Sequence, residues 1–305
     1  MLQQEVGTSK VNASRIALGC MRLDKLNKKE VDEVLSTALE HEINFFDHAD
    51  IYGEGNSELH FSSGIKRLGI SRDKLIIQSK CGIRNNCYDF SKKHLLNSVE
   101  NILKRLNCEF LDFLVLHRPD TLIEPEEVAE SFYILKKAGK VKNFGVSNHN
   151  RYQIELLQSY LDMPITVNQI QFSPVHTPLI DSGLNFNTKN HASLDRSTGT
   201  LEYCRLKQIT LQAWSPFQID LHSGTFLDSK YYKELNNTII KYSKKYNVSK
   251  EAIVISWILR HPAKFQTIIG TTTPKRILGI TKAVDITLTR EEWYDIYLSA
   301  NNQLL

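Results

Sequence analysis

Eight short apolar runs, each followed by a segment of helical pattern, constrain this 305-residue chain more than any other feature. The runs are 16–21, 44–47, 75–80, 111–116, 141–146, 165–172, 210–214 and 265–270. Their spacing is near the roughly 30 residues of one strand-helix-strand unit. Helices are expected over 28–42, 57–68, 91–106, 124–138, 152–161, 194–207, 231–246, 249–260, from Pro274 onward and over 289–300. Residues 173–192 read as polar loop. Residues 91–106 carry a broad apolar stripe (Leu95, Leu96, Val99, Ile102, Leu103, Leu106) suited to packing on a sheet. Lysines follow acids along 124–138, with Gly139 as the C-terminal stop. Eight such repeats favour a closed parallel (β/α)8 TIM barrel, one domain over residues 1–305, above an open doubly wound sheet.

In such a barrel the polar residues that end the strands gather at one rim, where active sites sit. The run Phe45-Phe46 ends in Asp47, Ile76-Ile77-Gln78-Ser79 ends in Lys80, and Phe113-Leu114-Val115-Leu116 ends in His117. Tyr52 follows Asp47 on a loop closed by Gly53 and Gly55, and the next helix is expected to be capped by Asn56 or Ser57. A phenol titrates near 10 in water and is a weak acid at neutral pH. A neighbouring ammonium favours phenolate and lowers that value, and a carboxylate keeps the ammonium charged and oriented. Tyr52 is therefore expected to donate a proton, tuned by Lys80 and Asp47, while a neutral His117 orients a substrate oxygen. His48, one residue past Asp47, alternates away from the site toward the helical layer and reads as structural; Asp50 has no assigned role.

These groups supply a proton but no nucleophile, so a hydride source is missing. No strand is followed by a Gly-x-Gly-x-x-Gly turn, so a nucleotide would be held another way. The ten histidines show no His-Glu-x-x-His spacing, and no metal is expected. Net charge is +4 without a long basic run, which disfavours nucleic acid as partner. The five scattered cysteines fit a reducing compartment, with Cys81 a small buried hydrophobe. The N-terminus lacks a leader pattern, and no apolar run nears the roughly 18 residues of a membrane span. A cytoplasmic location without membrane attachment is expected.

Seven segments in this order resemble the aldo-keto reductases over nearly the whole chain. They are Asp47-to-Gly53, Ser79-Lys80, Leu116-His117, Gly145-to-Asn148, Asn168-Gln169, Trp214-Ser215-Pro216 and Gly270-to-Arg276. The resemblance implies NADP(H)-dependent reduction of a small-molecule aldehyde or ketone by a monomer, with Asp47, Tyr52, Lys80 and His117 as the catalytic tetrad. By the same match Ser147, Asn148 and Gln169 hold the carboxamide, and Trp214 takes the place of an aromatic platform under the nicotinamide. Met21, Ser215 and Phe217 match further cofactor-contacting positions. Gly270, Thr271, Thr272 and Arg276 match the phosphate end, where a helix N-terminus and a forked guanidinium suit a phosphate. Gly270 stands where many relatives carry lysine, and Gly279-Ile280 where many carry Glu-Asn, so NADPH preference with weaker adenine recognition is expected. Two rivals use the same scaffold: an NADPH-binding regulatory subunit with little turnover, and a lyase with Lys80 as nucleophile. Pocket walls are expected from loops near Met21, 81–90, 117–122, 174–190 and 217–226, which leave substrate identity open.

Overall fold

Strands buried on both faces need no polar alternation, and this chain's apolar runs form them. A computed structural model describes residues 1–220 and 222–304; Leu221, within the 217–226 loop, and Leu305 lie outside the described residues. Two short strands come first, β1 (Gln3–Glu5) and β2 (Asn12–Ser14), paired as an antiparallel hairpin. Eight parallel strands follow: β3 (Ile16–Gly19), β4 (Phe45–Asp47), β5 (Ile76–Cys81), β6 (Leu111–Leu116), β7 (Val141–Ser147), β8 (Ile165–Gln171), β9 (Thr210–Trp214) and β10 (Gln266–Ile269). They close in chain order, with β10 pairing β3, into the (β/α)8 barrel.

The outer layer comprises α1 (Lys28–Glu40), α2 (Asn56–Arg67), α3 (Lys92–Leu106), α4 (Pro125–Lys137), α5 (Arg151–Gln158), α6 (Pro178–Leu184), α7 (Thr200–Leu206), α8 (Lys233–Tyr246), α9 (Lys250–Leu259), α10 (Pro274–Thr281) and α11 (Arg290–Ser299). The strand-helix interface holds the larger core, for example Phe132 of α4 stacked on Phe144 of β7 at 4.0 Å. A smaller core fills the barrel itself: Ala17, Phe45, Phe113, Val115, Val167 and Ile268, together with Val6 and Ala13 from the hairpin. The hairpin therefore plugs the end opposite the polar strand ends. Gly7 makes this possible: at φ +56° it lies so close to β8 that a Cβ would stand 2.2 Å from the Thr166 carbonyl oxygen. Among the described residues no helix is long and apolar enough to cross a membrane.

Three expectations need correction. The 173–192 stretch is not all loop, because Pro178 in the first helical turn starts α6. The 194–207 helix begins only at Thr200: Asp195 accepts from the backbone N–H of Ser197 (2.9 Å) and Thr198 (2.7 Å), and Gly199 is left-handed at φ +67°. That side-chain turn competes with the helix for the same donors. Neither Asn56 nor Ser57 caps α2, whose N-cap is Gly55 at φ +88° without a side-chain hydrogen bond. Asn56 instead donates to the Gly53 carbonyl at 2.8 Å, and Ser57 to that of Met21 at 3.0 Å.

Candidate active site

The parallel ladder carries the backbone past the end of β4, with His48 N–H donating to Gln78 O (2.8 Å) and Asp50 N–H to Lys80 O (3.0 Å). The chain then turns back through three consecutive left-handed residues, Gly53, Glu54 and Gly55. At Gly55 a Cβ would lie 2.7 Å from Arg105 Cδ, so glycine alone fits without displacement. This turn sets Tyr52 over Lys80.

Lys80 is fully buried, and its ammonium donates to Asp47 Oδ2 (2.7 Å), His48 O (2.8 Å) and Tyr52 Oη (3.2 Å). Three acceptors use all three of its protons. Tyr52 Oη is thus an acceptor toward the barrel, and its own O–H is left for the cleft. Burial works against the Lys80 charge, but Asp47 and then Tyr52 outweigh it and raise its pKa. Tyr52 departs from expectation. Burial raises its phenol above the ordinary value, and the opposing pull of Lys80 is smaller, so the net shift is upward. The His117 ring stands edge-on to Tyr52 at 5.9 Å. Burial, then the charges of Lys80 and Arg118, hold its pKa well below the usual histidine range, leaving it neutral. Its Nδ1 is buried with no partner among the described residues.

Beneath Asp47 lies a layer of amides that fills the barrel. Asp47 Oδ1 accepts from Gln78 Nε2 (2.7 Å) and Gln169 Nε2 (3.0 Å). Both amides also donate to Gln212 Oε1, at 2.9 and 3.2 Å. Gln212 in turn donates to Gln266 (2.8 Å), which donates to the Ser14 carbonyl (2.8 Å). Gln78, Gln212 and Gln266 are positioning residues that sequence reasoning missed; the available signal was a long amide inside each of three apolar runs. Arg22 was missed too, and its Nη1 donates to the Gly270 carbonyl at 3.0 Å.

Behind the Tyr52 turn, Glu58 is fully buried against Arg105 Nε (2.6 Å) and accepts from Ser79 Oγ (2.8 Å). His48 faces the helical layer as expected, 4.5 Å from the Phe61 ring of α2. Cys81 is buried. Asp50 has a buried Oδ1 without a partner among the described residues, and burial plus the Glu58 charge push its carboxyl up to about 7. Between about pH 4 and about 7 the folded chain thus holds a proton that the unfolded chain has released, so rising pH removes stability across that window. Asp50→Asn is expected to gain about 1–3 kcal/mol at pH 8 and almost nothing at pH 4. Urea unfolding at the two pH values checks this, and equal changes at both would refute it.

The residues expected around a nicotinamide meet at the ends of β7, β8 and β9. Asn148, left-handed at φ +59°, donates to Ser147 Oγ (2.8 Å) and His117 O (3.3 Å) and accepts from Trp214 Nε1 (3.1 Å). Ser147 Oγ donates to Gln169 O at 2.8 Å. Through Gln169 this cluster is hydrogen-bonded to the tetrad. Met21 is exposed at the rim, and Ser215 turns at φ +50° with its hydroxyl on the Gln218 side chain. Phe217 packs on the core. These two, with Gly270, Thr271, Thr272 and Arg276, lie on the segments after β9 and β10 and show no hydrogen bond to the tetrad among the described residues. Arg276 is exposed on α10, 3.9 Å from Glu251. Gly279 has a packing reason: a Cβ would press on Ser249 Oγ at 3.1 Å.

A closed parallel barrel with a phenol, a buried ammonium-carboxylate pair and a neutral imidazole at the rim where its strands end has the parts of a proton-transferring barrel enzyme. The Aldo/keto reductase family model matches residues 15–298, and the chain belongs to that family. It is 32% identical over 299 residues to a Bacillus subtilis (strain 168) protein named uncharacterized oxidoreductase YcsN, covering 93% of each chain. It is 31% identical over 312 residues to a 6-dehydroglucose reductase of Agrobacterium fabrum, covering 98% of each. The solved structure of a thermostable aldo-keto reductase, Tm1743, with the inhibitor epalrestat superposes with a TM-score of 0.79 at 25% identity, covering 98% of this chain and 100% of that one. The chain is accordingly an oxidoreductase of carbonyl compounds.

Proposed function

We propose that this chain reduces an aldehyde or ketone to the alcohol, with NADPH as hydride donor and Tyr52 as proton donor. The observation that carries the reading is the three-acceptor shell of Lys80, which leaves the Tyr52 proton to the cleft. When bound, NADPH supplies the hydride to the carbonyl carbon. Tyr52 gives its proton to the carbonyl oxygen, Lys80 stabilises the phenolate left behind, and His117 orients that oxygen. Solvent then restores the Tyr52 proton. A fully buried Lys80 whose pKa is raised keeps no lone pair for a carbonyl carbon, which argues against the lyase.

The donor set fits the cofactor. Trp214 offers a half-buried indole face held at its edge by Asn148. At the other end, hydroxyls of Thr271 and Thr272 precede the N-terminus of α10, which carries exposed Arg276. Arg22, on the Gly270 carbonyl, brings a second cation to the strand end that lacks the lysine of many relatives. Following NADPH absorbance with aromatic and aliphatic aldehydes tests the reading. Turnover supports it, tight binding without turnover favours the regulatory subunit, and no binding sinks both. Arg276→Ala is expected to raise the NADPH dissociation constant about tenfold and to leave NADH nearly unchanged. Equal affinity of the wild type for the two cofactors, measured by fluorescence titration, would remove that role.

A further inference from the structure

The loops after β6, β7, β8 and β9 bound a cavity of about 530 Å3, joined to the tetrad through Arg118, which follows His117 in the chain, and Asn148, which donates to the His117 carbonyl. Three of its lining side chains are formally charged: Arg118, Arg196 and Asp220. Asp220 is engaged in its own turn, accepting from the N–H groups of His222 (2.7 Å) and Ser223 (2.6 Å) and from Ser223 Oγ (2.6 Å). Arg196 is exposed and leans on the His191 ring at 3.1 Å, with no carboxylate partner among the described residues. Arg118 directly follows His117 and is half-buried, its guanidinium carbon 5.7 Å from the centroid of the Trp214 ring. That guanidinium has no hydrogen bond and no ion pair among the described residues.

No nitrogen of this half-buried guanidinium is shut off from the cavity, so its five donors are free to meet an acceptor that enters. Two other partly buried arginines face a carboxylate, Arg72 on Asp112 and Arg105 on Glu58, and Arg15, Arg22 and Arg260 donate to backbone carbonyls. Arg118 differs from them in facing open cavity next to the imidazole that would orient the substrate. Two histidines of the same wall, His149 and His176, add no charge to it at neutral pH. Burial lowers His149 to about 4 and lowers His176 as well, so both are neutral. Two guanidinium groups against one carboxylate, whose oxygens are already taken up in its own turn, leave the cavity lining net cationic.

We infer that the cavity takes an oxyanion, a carboxylate or phosphate carried by the carbonyl substrate, with Arg118 as its forked contact and Arg196 as an outer guide. The planar fork of a guanidinium matches both anions in two parallel hydrogen bonds. The inference rests on the carbonyl-reductase reading and adds its substrate class: anionic aldehydes or ketones in preference to neutral ones. A cofactor phosphate is the other source of the same chemistry, and the test separates the two.

The probes are 4-carboxybenzaldehyde and its neutral methyl ester, with NADPH, at low and raised salt. The wild type is expected to favour the acid in kcat/KM by about tenfold or more, through KM, and to lose part of that preference with salt. Arg118→Gln is expected to bring the ratio close to one, Arg118→Lys to keep part of it, and Arg196→Gln to lower it about twofold to threefold. A ratio near one in the wild type, or one unchanged in Arg118→Gln, overturns the inference. So does an equal loss on both aldehydes together with weaker NADPH binding measured without substrate, which would assign the anion to the cofactor. If neither aldehyde turns over, the reductase reading fails, and calorimetric binding of 4-(hydroxymethyl)benzoate decides the anion site alone. Binding weakened about tenfold in Arg118→Gln supports the site, and equal or absent binding in both proteins overturns it.

Discussion

Replacing Tyr52 by phenylalanine is expected to lower kcat for carbonyl reduction by about 100- to 10,000-fold while the NADPH dissociation constant stays as in the wild type. The hydroxyl keeps a proton for the cleft, because Lys80 commits its three protons to Asp47, His48 and Tyr52. The pH profile carries a second signature. Burial raises the Tyr52 phenol above its ordinary value, so the acid stays protonated through neutrality and reduction falls only in the alkaline range. In Tyr52→Phe that alkaline limb disappears along with the rate. Single-turnover reduction at several pH values measures both. A variant that keeps both the rate and the limb would assign the proton to another group.

Glu58→Ala is expected to destabilise the fold by about 3–5 kcal/mol, the cost of leaving a buried charge without its partner. Glu58 is fully buried, Arg105 is only 23% exposed along its side chain, and Arg105 Nη2 already lacks a partner among the described residues. Removing the carboxylate also strands the Ser79 hydroxyl and frees the Arg105 stem that lies under Gly55. The damage should extend to Tyr52, whose turn rests on that stem. Lys29→Ala is the control: it breaks an exposed pair with Glu33 at 3.7 Å and should change stability by less than about 0.5 kcal/mol. Urea unfolding of both variants checks the contrast, and similar costs for the two would show that burial is not what sets the energy of the Glu58 pair.

The barrel was legible because its strands are locked on both faces, so apolar runs mark them almost residue for residue. Residues 111–116 are β6 as read, and 210–214 are β9. The β1–β2 hairpin was not legible, since two three-residue strands of mostly polar sequence carry no periodicity. The 173–199 stretch misled for a related reason. Its order comes from Pro178 and from the Asp195 turn, which are single-residue signals set in polar sequence. At the site, strand ends announced Asp47, Lys80 and His117 because a titratable residue closing an apolar run is conspicuous. The Tyr52 shift was misjudged in direction, because a sequence shows which charge is near but not how much water is excluded. The amide layer was hidden by distance along the chain: Gln78 and Gln212 meet across 134 residues.

That layer also bears on how the barrel can assemble. Asp47 and Gln78 come from its first half, whereas Gln169, Gln212 and Gln266 come from its second. Either half alone would strand long amides in an apolar interior, at a cost that rises with each missing partner. Two independently stable half-barrels are therefore disfavoured as folding intermediates, and closure is cooperative across the whole ring. The carboxylate that holds Lys80 acquires its full set of donors only at that closure, so a recombined pair of fragments should regain activity and native spectroscopic signal in the same step.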